Sequence, residues 1–340
     1  MTGLRQYVTA SCSSGVEISI PHANTSASFS ALTRVKSRPF IAFQCPDERA
    51  NDGFPNVGPI SCDHGQVTKR APFLRRRLGR RLREIREGAN FTLTEAAKRL
   101  DKTRSALQRI ETGVTRADVH FIRSFMDVCD HYDEKLIDEA REAMKPPWFR
   151  AYGIEDMGYV DVETYAASVR EFSGLKLPGL LHTEAYIRAS FAHSRRRRSP
   201  EELHNDIEVR LIRQERITSQ QNPLELAAII DESALRRDVG GPDVMREQLQ
   251  RLVEMAALPS VTLQVLPLKA HSALDGGFIL LSFHDRDEPD LLYVEYVTGA
   301  LHIEEDDEVR ACRLKFDRLG VEALSPDDSV ALIKRIGQEW

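Results

Sequence analysis

The stretch Thr92–Gly113, TLTEAAKRLDKTRSALQRIETG, decides the fold of the helical part of this chain. It opens with a capping box, Thr92–Glu95, in which a threonine side chain can accept from the amide three residues later. After one short helical segment, Asp101–Thr103 supplies a three-residue turn. Thr103 can cap a further helix, and Gly113 is a good residue to end it. The stretch therefore predicts two short helices joined by a tight turn.

Three more predicted helices flank these two, at about residues 74–88, 118–131 and 134–144, and Pro146-Pro147 stops the last. The first has one apolar stripe at helical spacing: Leu78, Leu82, Ile85 and Ala89. Most of its remaining surface is arginine: Arg75, Arg76, Arg77, Arg80, Arg81, Arg83 and Arg86. We therefore predict an all-α, five-helix domain at residues 67–145.

Charge is distributed very unevenly along the chain, whose formal net charge is −5. Residues 67–116 carry 15 Lys/Arg and 5 Asp/Glu, whereas residues 117–340 carry 27 and 42. A basic block on an acidic chain is typical of a module that binds a polyanion. The alternative is a solvated basic helix face.

Two helices joined by a three-residue turn make a helix-turn-helix unit, whose second helix enters the major groove of DNA. On the second helix, Leu107 and Ile110 face inward and the polar side chains face outward. We predict that base edges are read by Arg104, Ser105, Gln108 and Arg109, because Arg and Gln can bind guanine and adenine bidentately. We predict that phosphates are bound by Lys102, Thr103, Thr115 and Arg116, which flank the helix.

The same region resembles the Cro/lambda-repressor (xenobiotic-response-element) type of helix-turn-helix domain. The matching residues are Leu78–Arg86, Phe91-Thr92, Glu95–Ala97, Leu100, Thr103–Ser105 and Arg109–Gly113. Three positions depart from the pattern: Leu93 replaces a usual Gln, Asp101 a usual Gly and Lys102 an apolar residue. The departure at Leu93 puts a phosphate contact there in doubt, while Asp tolerates the left-handed conformation that the turn requires.

Residues 1–66 differ from the rest, with 13 Ser/Thr, 5 Pro and 5 Gly and no helical or strand period. We predict a largely disordered N-terminal tail. Two interpretations stay open: the tail is translated, or the natural chain begins at Val67 from a GUG codon and the assigned start is wrong.

Residues 148–340 have mixed signals that predict a larger α/β (α+β) domain. Predicted helices cover 161–173, 183–192, 200–219, 242–257, 306–319 and 326–338. Predicted strands cover 224–230, 261–267, 277–284, 291–297 and 300–304. The order strand, helix, strand across 224–267 indicates one βαβ unit, and the later strands indicate antiparallel additions.

This segment also resembles a family, a domain of unknown function that antitoxin-like bacterial transcription regulators carry after their helix-turn-helix. The matching residues are Pro178–Tyr186, Arg210, Arg213-Gln214, Asp231–Arg236, Gly240-Gly241, Gln248-Leu249, Leu252, Val265–Pro267, Gly277-Phe278, Tyr293, Glu295, Phe316 and Leu319. His182 stands where Gln is usual. The resemblance implies a partner, a small companion protein encoded nearby.

The larger segment has no pattern typical of catalysis, and we predict no enzymatic activity, cofactor or metal. An H-x-K phosphodiesterase pattern at His271 is broken by Ala273, although Asp275 is near. No nucleophile or second carboxylate is spaced with His182, Glu184 and Tyr186, and we interpret Asp231-Glu232 as a helix cap. The run Arg195–Arg198 is either a solvated loop or a second phosphate contact. The five scattered cysteines form no C-x-x-C pair, which argues against a disulfide framework or zinc site.

These patterns together predict a cytoplasmic, sequence-specific regulator of transcription that binds double-stranded DNA as a homodimer. The sequence has no secretory signal and no membrane span. Dimer contacts are expected on the fourth and fifth helices, where Phe121, Phe125 and Val128 add apolar surface; the alternative is that this surface packs on the larger domain. The larger domain is expected to bind the companion protein. The alternatives are a small-molecule sensor and, with less support, an enzyme tethered to a DNA-binding domain.

Overall fold

The computed structural model describes residues 71–154, 158–192, 197–270, 276–285, 287–297 and 299–340. The predicted tail, residues 1–66, lies outside them. The first described segment forms five helices: α1 (Phe73–Gly88), α2 (Leu93–Arg99), α3 (Arg104–Glu111), α4 (Val119–Cys129) and α5 (Glu134–Met144). The prediction of a five-helix part is therefore confirmed.

The local chemistry of the α2–α3 turn is as the sequence predicts. The Thr92 hydroxyl accepts from the Glu95 amide at 3.3 Å, and the Glu95 carboxylate accepts from the Thr92 amide at 2.9 Å. The Thr103 hydroxyl accepts from the Ala106 amide at 3.1 Å and so caps α3. Asp101 adopts the left-handed conformation, with φ of 52°. The departure from Gly at this position is therefore compatible with the turn.

The helical part has its own core, and α4 contributes more to it than we predicted. Phe125 is 0% exposed and packs among the buried residues of α1, α3 and α5. Its prediction as apolar surface for a dimer is therefore wrong. Ile122, Phe125, Met126 and Cys129 follow the spacing i, i+3, i+4, i+7, which places Phe125 in the middle of the buried stripe.

The second described part is a six-stranded sheet with helices on both faces. Its helices are α6 (Gly158–Glu163), α7 (Glu184–Ala192), α8 (Pro200–Glu215), α9 (Glu232–Leu235), α10 (Pro242–Ala256), α11 (Asp306–Glu322) and α12 (Pro326–Glu339). Its strands are β1 (Ala166–Ser173), β2 (Glu225–Asp231), β3 (Val261–Leu266), β4 (Phe278–Phe283), β5 (Leu291–Tyr296) and β6 (Gly299–Ile303). The mixed α/β class is therefore confirmed.

The strand order is β3-β2-β1-β4-β5-β6. The strands β1, β2 and β3 are parallel, and α10 forms the predicted βαβ crossover between β2 and β3. The strands β4, β5 and β6 add in antiparallel fashion, as predicted. The residues of α10 and α12 pack on one face of the sheet, and those of α11 pack on the other.

One predicted helix, 161–173, is wrong. The chain forms the short helix α6 and then β1, which lies between β2 and β4. Val162, Tyr165, Val169 and Phe172 recur at i, i+3, i+7 and i+10, which fits a helix as well as a buried strand. As a central strand, β1 buries side chains on both faces: Val169 packs in one core and Phe172 in the other. Pairing with two neighbours outweighs the local helical pattern.

The two parts are joined at the start of α1. The Phe73 ring stacks on Tyr165 and Phe283, with centroids 5.3 and 5.0 Å apart, and its amide donates to Asp161 at 2.5 Å. Phe73 thus belongs to the core of the sheet-containing part although it begins the helical part. None of the described helices combines the length and apolarity that crossing a membrane requires.

Candidate nucleic-acid interface

The helix α3 presents one polar face to solvent and one apolar face to the core. Leu107 and Ile110 are buried, while Arg104, Gln108 and Arg109 are exposed. The remaining predicted DNA-binding residues are also exposed: Lys102, Thr103, Ser105, Thr115 and Arg116. The structure therefore makes all eight of them accessible to a ligand.

The basic residues around α3 differ from those of α1 in their partners. Six arginines of α1 form ion pairs: Arg76, Arg77, Arg80, Arg81, Arg83 and Arg86. Among the described residues, four cations at α3 have no ion-pair partner within 4.0 Å: Lys102, Arg104, Arg109 and Arg116. Four positive charges that form no ion pair with the described residues thus lie at or beside α3.

Three of the four predicted phosphate-binding residues converge beside α3, and Thr103 is the exception. Lys102, Thr115 and Arg116 line a shallow surface depression of about 220 Å³ together with Arg109. The Thr115 amide donates to the Arg109 carbonyl at 2.9 Å, which folds the segment after α3 back against the helix. Arg109, which we predicted to read bases, thus lies in the same depression as the predicted phosphate contacts.

A buried ion pair holds α3 against α1. The Arg86 guanidinium donates to both carboxylate oxygens of Glu111, at 2.7 and 2.9 Å, and to the Phe91 carbonyl at 2.8 Å. These bonds raise the pKa of Arg86 although burial opposes this. The residues are 5% and 8% exposed, so our assignment of Arg86 to the helix surface is wrong. The spacing of Leu78, Leu82 and Arg86 at i, i+4, i+8 is the signal that we missed.

Two glycines allow this close contact between α1 and α3. A Cβ on Gly79 would lie 2.4 Å from the Glu111 carbonyl oxygen, and one on Gly113 would lie 2.7 Å from the Arg76 amide nitrogen. Gly113 also has φ of 74°, which favours glycine. The orientation of α3 is therefore fixed by backbone packing as well as by the ion pair.

The other residues singled out in the sequence differ in their contacts. Asp231 caps α9 by accepting from the Ser233 amide at 2.8 Å, as predicted. Arg198 pairs with Asp206, and Glu184 pairs with Arg188 on α7. Four residues lie outside the described part: Arg195, Arg196, His271 and Asp275. No group of three His, Cys, Asp and Glu side chains in the described part lies close enough to hold a metal ion.

A second group of polar and charged side chains lies beside the sheet, and we call it the polar cluster: Glu163, Glu171, His182, Arg210, Arg213 and Tyr293. Arg213 donates to both oxygens of Glu163 at 2.7 Å. The register Glu171↔Ile279↔Tyr293 places Glu171 and Tyr293 on the same face, two strands apart. Burial lowers the pKa of His182 to about 3 and raises the pKa of Glu171. His182 is therefore neutral at physiological pH.

Two buried amides hold the loop that carries His182. The Gln248 side chain accepts from the Thr183 amide at 2.7 Å and donates to the Leu181 carbonyl at 2.8 Å. Gln214 donates to the His182 carbonyl at 2.9 Å. Segments that lie far apart in the sequence thus meet at the polar cluster. The spacing of residues along the chain did not predict this contact.

Comparisons with known proteins divide the chain into the same two parts, one helical and one that contains the sheet. A family model described as a helix-turn-helix domain matches residues 77–140. One described as a domain of unknown function (DUF5753) matches residues 157–335, just over half of the chain. Among solved structures, the chain is similar to the crystal structure of the clp gene regulator ClgR from C. glutamicum, at 25% identity and a TM-score of 0.19; the match covers 22% of this chain and 96% of that one. No curated protein matches it. The Cro/lambda-repressor subtype is finer than these matches and stays a prediction.

Proposed function

We propose, on the premise that this chain belongs to the DUF5753 family and carries a helix-turn-helix domain before it, that it is a sequence-specific regulator of transcription. The observation that carries the proposal is the group of cations at α3. Lys102, Arg104, Arg109 and Arg116 have no ion-pair partner within 4.0 Å among the described residues, in a protein of net charge −5. Such a surface provides the electrostatic part of DNA binding.

The exposed face of α3 divides into two parts with different roles. Arg104, Ser105 and Gln108 lie on the outward face and read base edges in the major groove. Lys102, Thr103, Thr115 and Arg116 bind phosphates, which fixes the register of the helix without reading sequence. Arg109 was predicted to read a base, but its place in the depression favours a phosphate contact for this side chain.

The first prediction concerns Gln108→Ala. We expect it to cost about 1–3 kcal/mol of binding free energy at one base pair and to relax the preference there, because a bidentate amide contact is lost. The measurement is selection of binding sites from a random DNA library. An unchanged selected sequence would show that Gln108 reads no base.

The matched control is Arg116→Ala. Removing a phosphate contact should weaken binding to all sequences alike and reduce the slope of log K against log salt by about one. The two variants together separate base reading from phosphate binding. A loss of sequence preference with Arg116→Ala would contradict the division of roles.

We propose a homodimer, because one recognition helix reads too few bases for a genome-sized search. With Phe125 in the core, the half-buried Phe121 and Val128 remain as apolar surface on α4. We expect half-sites about 10 base pairs apart, centre to centre. Light scattering gives the mass and footprinting gives the protected length. A monomer that protects one half-site would contradict this proposal.

We propose that this chain is an antitoxin-like regulator and that its DUF5753 domain binds a partner, a small companion protein encoded nearby. The surface that supports this is the β5–β6 hairpin, where Tyr296, Val297 and Leu301 are exposed. Exposed apolar residues close together are typical of protein interaction sites. We expect the companion to co-purify with this chain, and we expect this co-purification to be lost in Val297→Asp. Equal recovery with the variant would place the contact elsewhere.

A further inference from the structure

Arg210 is a half-buried cation that forms no ion pair with the described residues. No carboxylate of the described residues lies within 4.0 Å of its guanidinium, which donates to the Asp206 carbonyl at 3.0 Å and lies over the Phe191 ring at 4.4 Å. Burial and then the charge of Arg213 lower the pKa of Arg210 to about 10, although the charges of Asp206 and Glu295 oppose this. A desolvated charge of this kind is costly for stability unless an opposite charge approaches it.

Arg213, one helical turn further along α8, is held in a different way. Its guanidinium is bound by both oxygens of Glu163 and is covered by the Tyr159 ring, 5.3 Å from its centroid. Its charge is therefore balanced within the protein. Arg210 and Arg213 lie on one face of the helix at i, i+3. Because Glu163 balances Arg213, Arg210 is the cation of the polar cluster that has no ion-pair partner within 4.0 Å among the described residues.

The polar cluster extends from solvent to a buried floor. At its rim, the exposed residues Lys176 and Glu295 form an ion pair. At the floor, Glu171 is buried and accepts from the Ser173 hydroxyl at 2.8 Å. Between them, His182, Arg210 and Tyr293 are partly accessible to solvent. Arg210 is thus partly in contact with solvent.

We propose that the polar cluster is a binding site for the carboxylate or phosphate group of a small molecule, with Arg210 as the residue that binds its charge. A guanidinium suits both groups, because its planar fork of N–H donors matches two oxygens of either. The neutral His182 and the Tyr293 hydroxyl add no negative charge. Of the two carboxyl groups in the cluster, Glu163 is balanced by Arg213, and burial raises the pKa of Glu171, which favours its neutral form. This site is in the DUF5753 domain and is distinct from the DNA interface.

The test is thermal unfolding of the full chain with inorganic phosphate or sodium acetate as probe, against sodium chloride of equal ionic strength. At about 50 mM probe, we expect one of the two to raise the Tm by about 2–4 °C. The probe that does so identifies the preferred group. If neither raises the Tm, the proposal is wrong.

Two matched substitutions locate the bound anion. Arg210→Met should abolish the rise in Tm, whereas Arg116→Met at the DNA interface should retain it. If Arg116→Met abolished the rise and Arg210→Met retained it, the anion would bind at α3. That result would overturn the proposal and leave the proposed DNA binding intact.

The Tm of the variants without probe gives a second criterion. Arg210→Met should leave this Tm unchanged or raise it, because it removes a buried charge that has no acid partner. Arg213→Met should lower it, because Glu163 would be left buried and unpaired. A lowered Tm for Arg210→Met equal to that of Arg213→Met would indicate a purely structural role and would contradict the proposal.

Discussion

Replacing Arg86 by methionine should destabilise the helical part by about 3–5 kcal/mol, the usual cost of removing one partner of a buried ion pair. Arg86 donates to Glu111 twice and to the Phe91 carbonyl once, all within 2.9 Å. Methionine fills most of the volume but leaves the Glu111 carboxylate without its partner. Chemical denaturation followed by circular dichroism measures the loss.

The matched control is Arg83→Met, three residues earlier on the same helix. Arg83 pairs with Glu87 at 2.9 Å, but both side chains are more than half exposed. An exposed pair at i, i+4 contributes only about 0.3–0.5 kcal/mol. Similar losses for the two variants would mean that burial of the Arg86–Glu111 pair has no energetic consequence.

A double variant separates the pair from its surroundings. Replacing Arg86 by Met and Glu111 by Leu removes both charges, so no buried carboxylate is left alone. We expect it to be more stable than Arg86→Met by itself. Its DNA affinity then reports whether the pair is needed to orient α3, since Glu111 is the last residue of that helix.

The helical part was predictable because its signals are local. Thr92, Glu95 and Thr103 cap helices through residues three positions away, and Asp101 turns the chain by its own backbone conformation. Such chemistry acts in the same way in a peptide as in a protein. The exposed face of α3 follows from the spacing of Leu107 and Ile110 for the same reason.

Phe125 and Arg86 were misassigned although the helical spacing places both on a buried stripe, whereas the other errors lie where tertiary contacts decide the outcome. The strand β1 has a helix-like pattern and becomes a strand only through pairing with β2 and β4. The polar cluster combines residues from α6, β1, α8 and β5, whose distances along the chain carry no information on their contact.

Phe73→Ala is the second substitution for which we expect a large effect, a loss of about 3–5 kcal/mol. The ring is 2% exposed and stacks between Tyr165 and Phe283, so its removal leaves a cavity. The cavity lies in the core of the sheet-containing part, not among the core residues of the five helices. The loss should therefore fall on the contact between the two parts.

Ion pairs add to this contact around Phe73. Arg76 pairs with Glu304 at 2.6 Å, Arg77 with Asp285 at 2.8 Å and Arg80 with Glu288 at 2.5 Å. All three acidic partners lie after strands that end at the contact between the two parts: Asp285 and Glu288 follow β4, and Glu304 follows β6. The side chains of these pairs are partly exposed, except that of Glu288, which is buried. We expect each pair to contribute less to stability than the aromatic stack.

The strands that receive α1 also carry part of the polar cluster. Phe283 ends β4, and Tyr293 lies on β5, which pairs with both β4 and β6. Tyr293 is thus connected through paired strands to the strand that carries Phe283, whose ring stacks on Phe73.

Scanning calorimetry measures the Phe73→Ala prediction directly. With the contact intact, the two parts should unfold together; with Phe73→Ala, we expect two transitions, because each part keeps its own core. The control is Phe121→Ala, which removes a half-buried ring from the helical part and should lower stability less without splitting the transition. A single transition for Phe73→Ala, with a loss below about 1 kcal/mol, would show that the aromatic stack does not join the two parts.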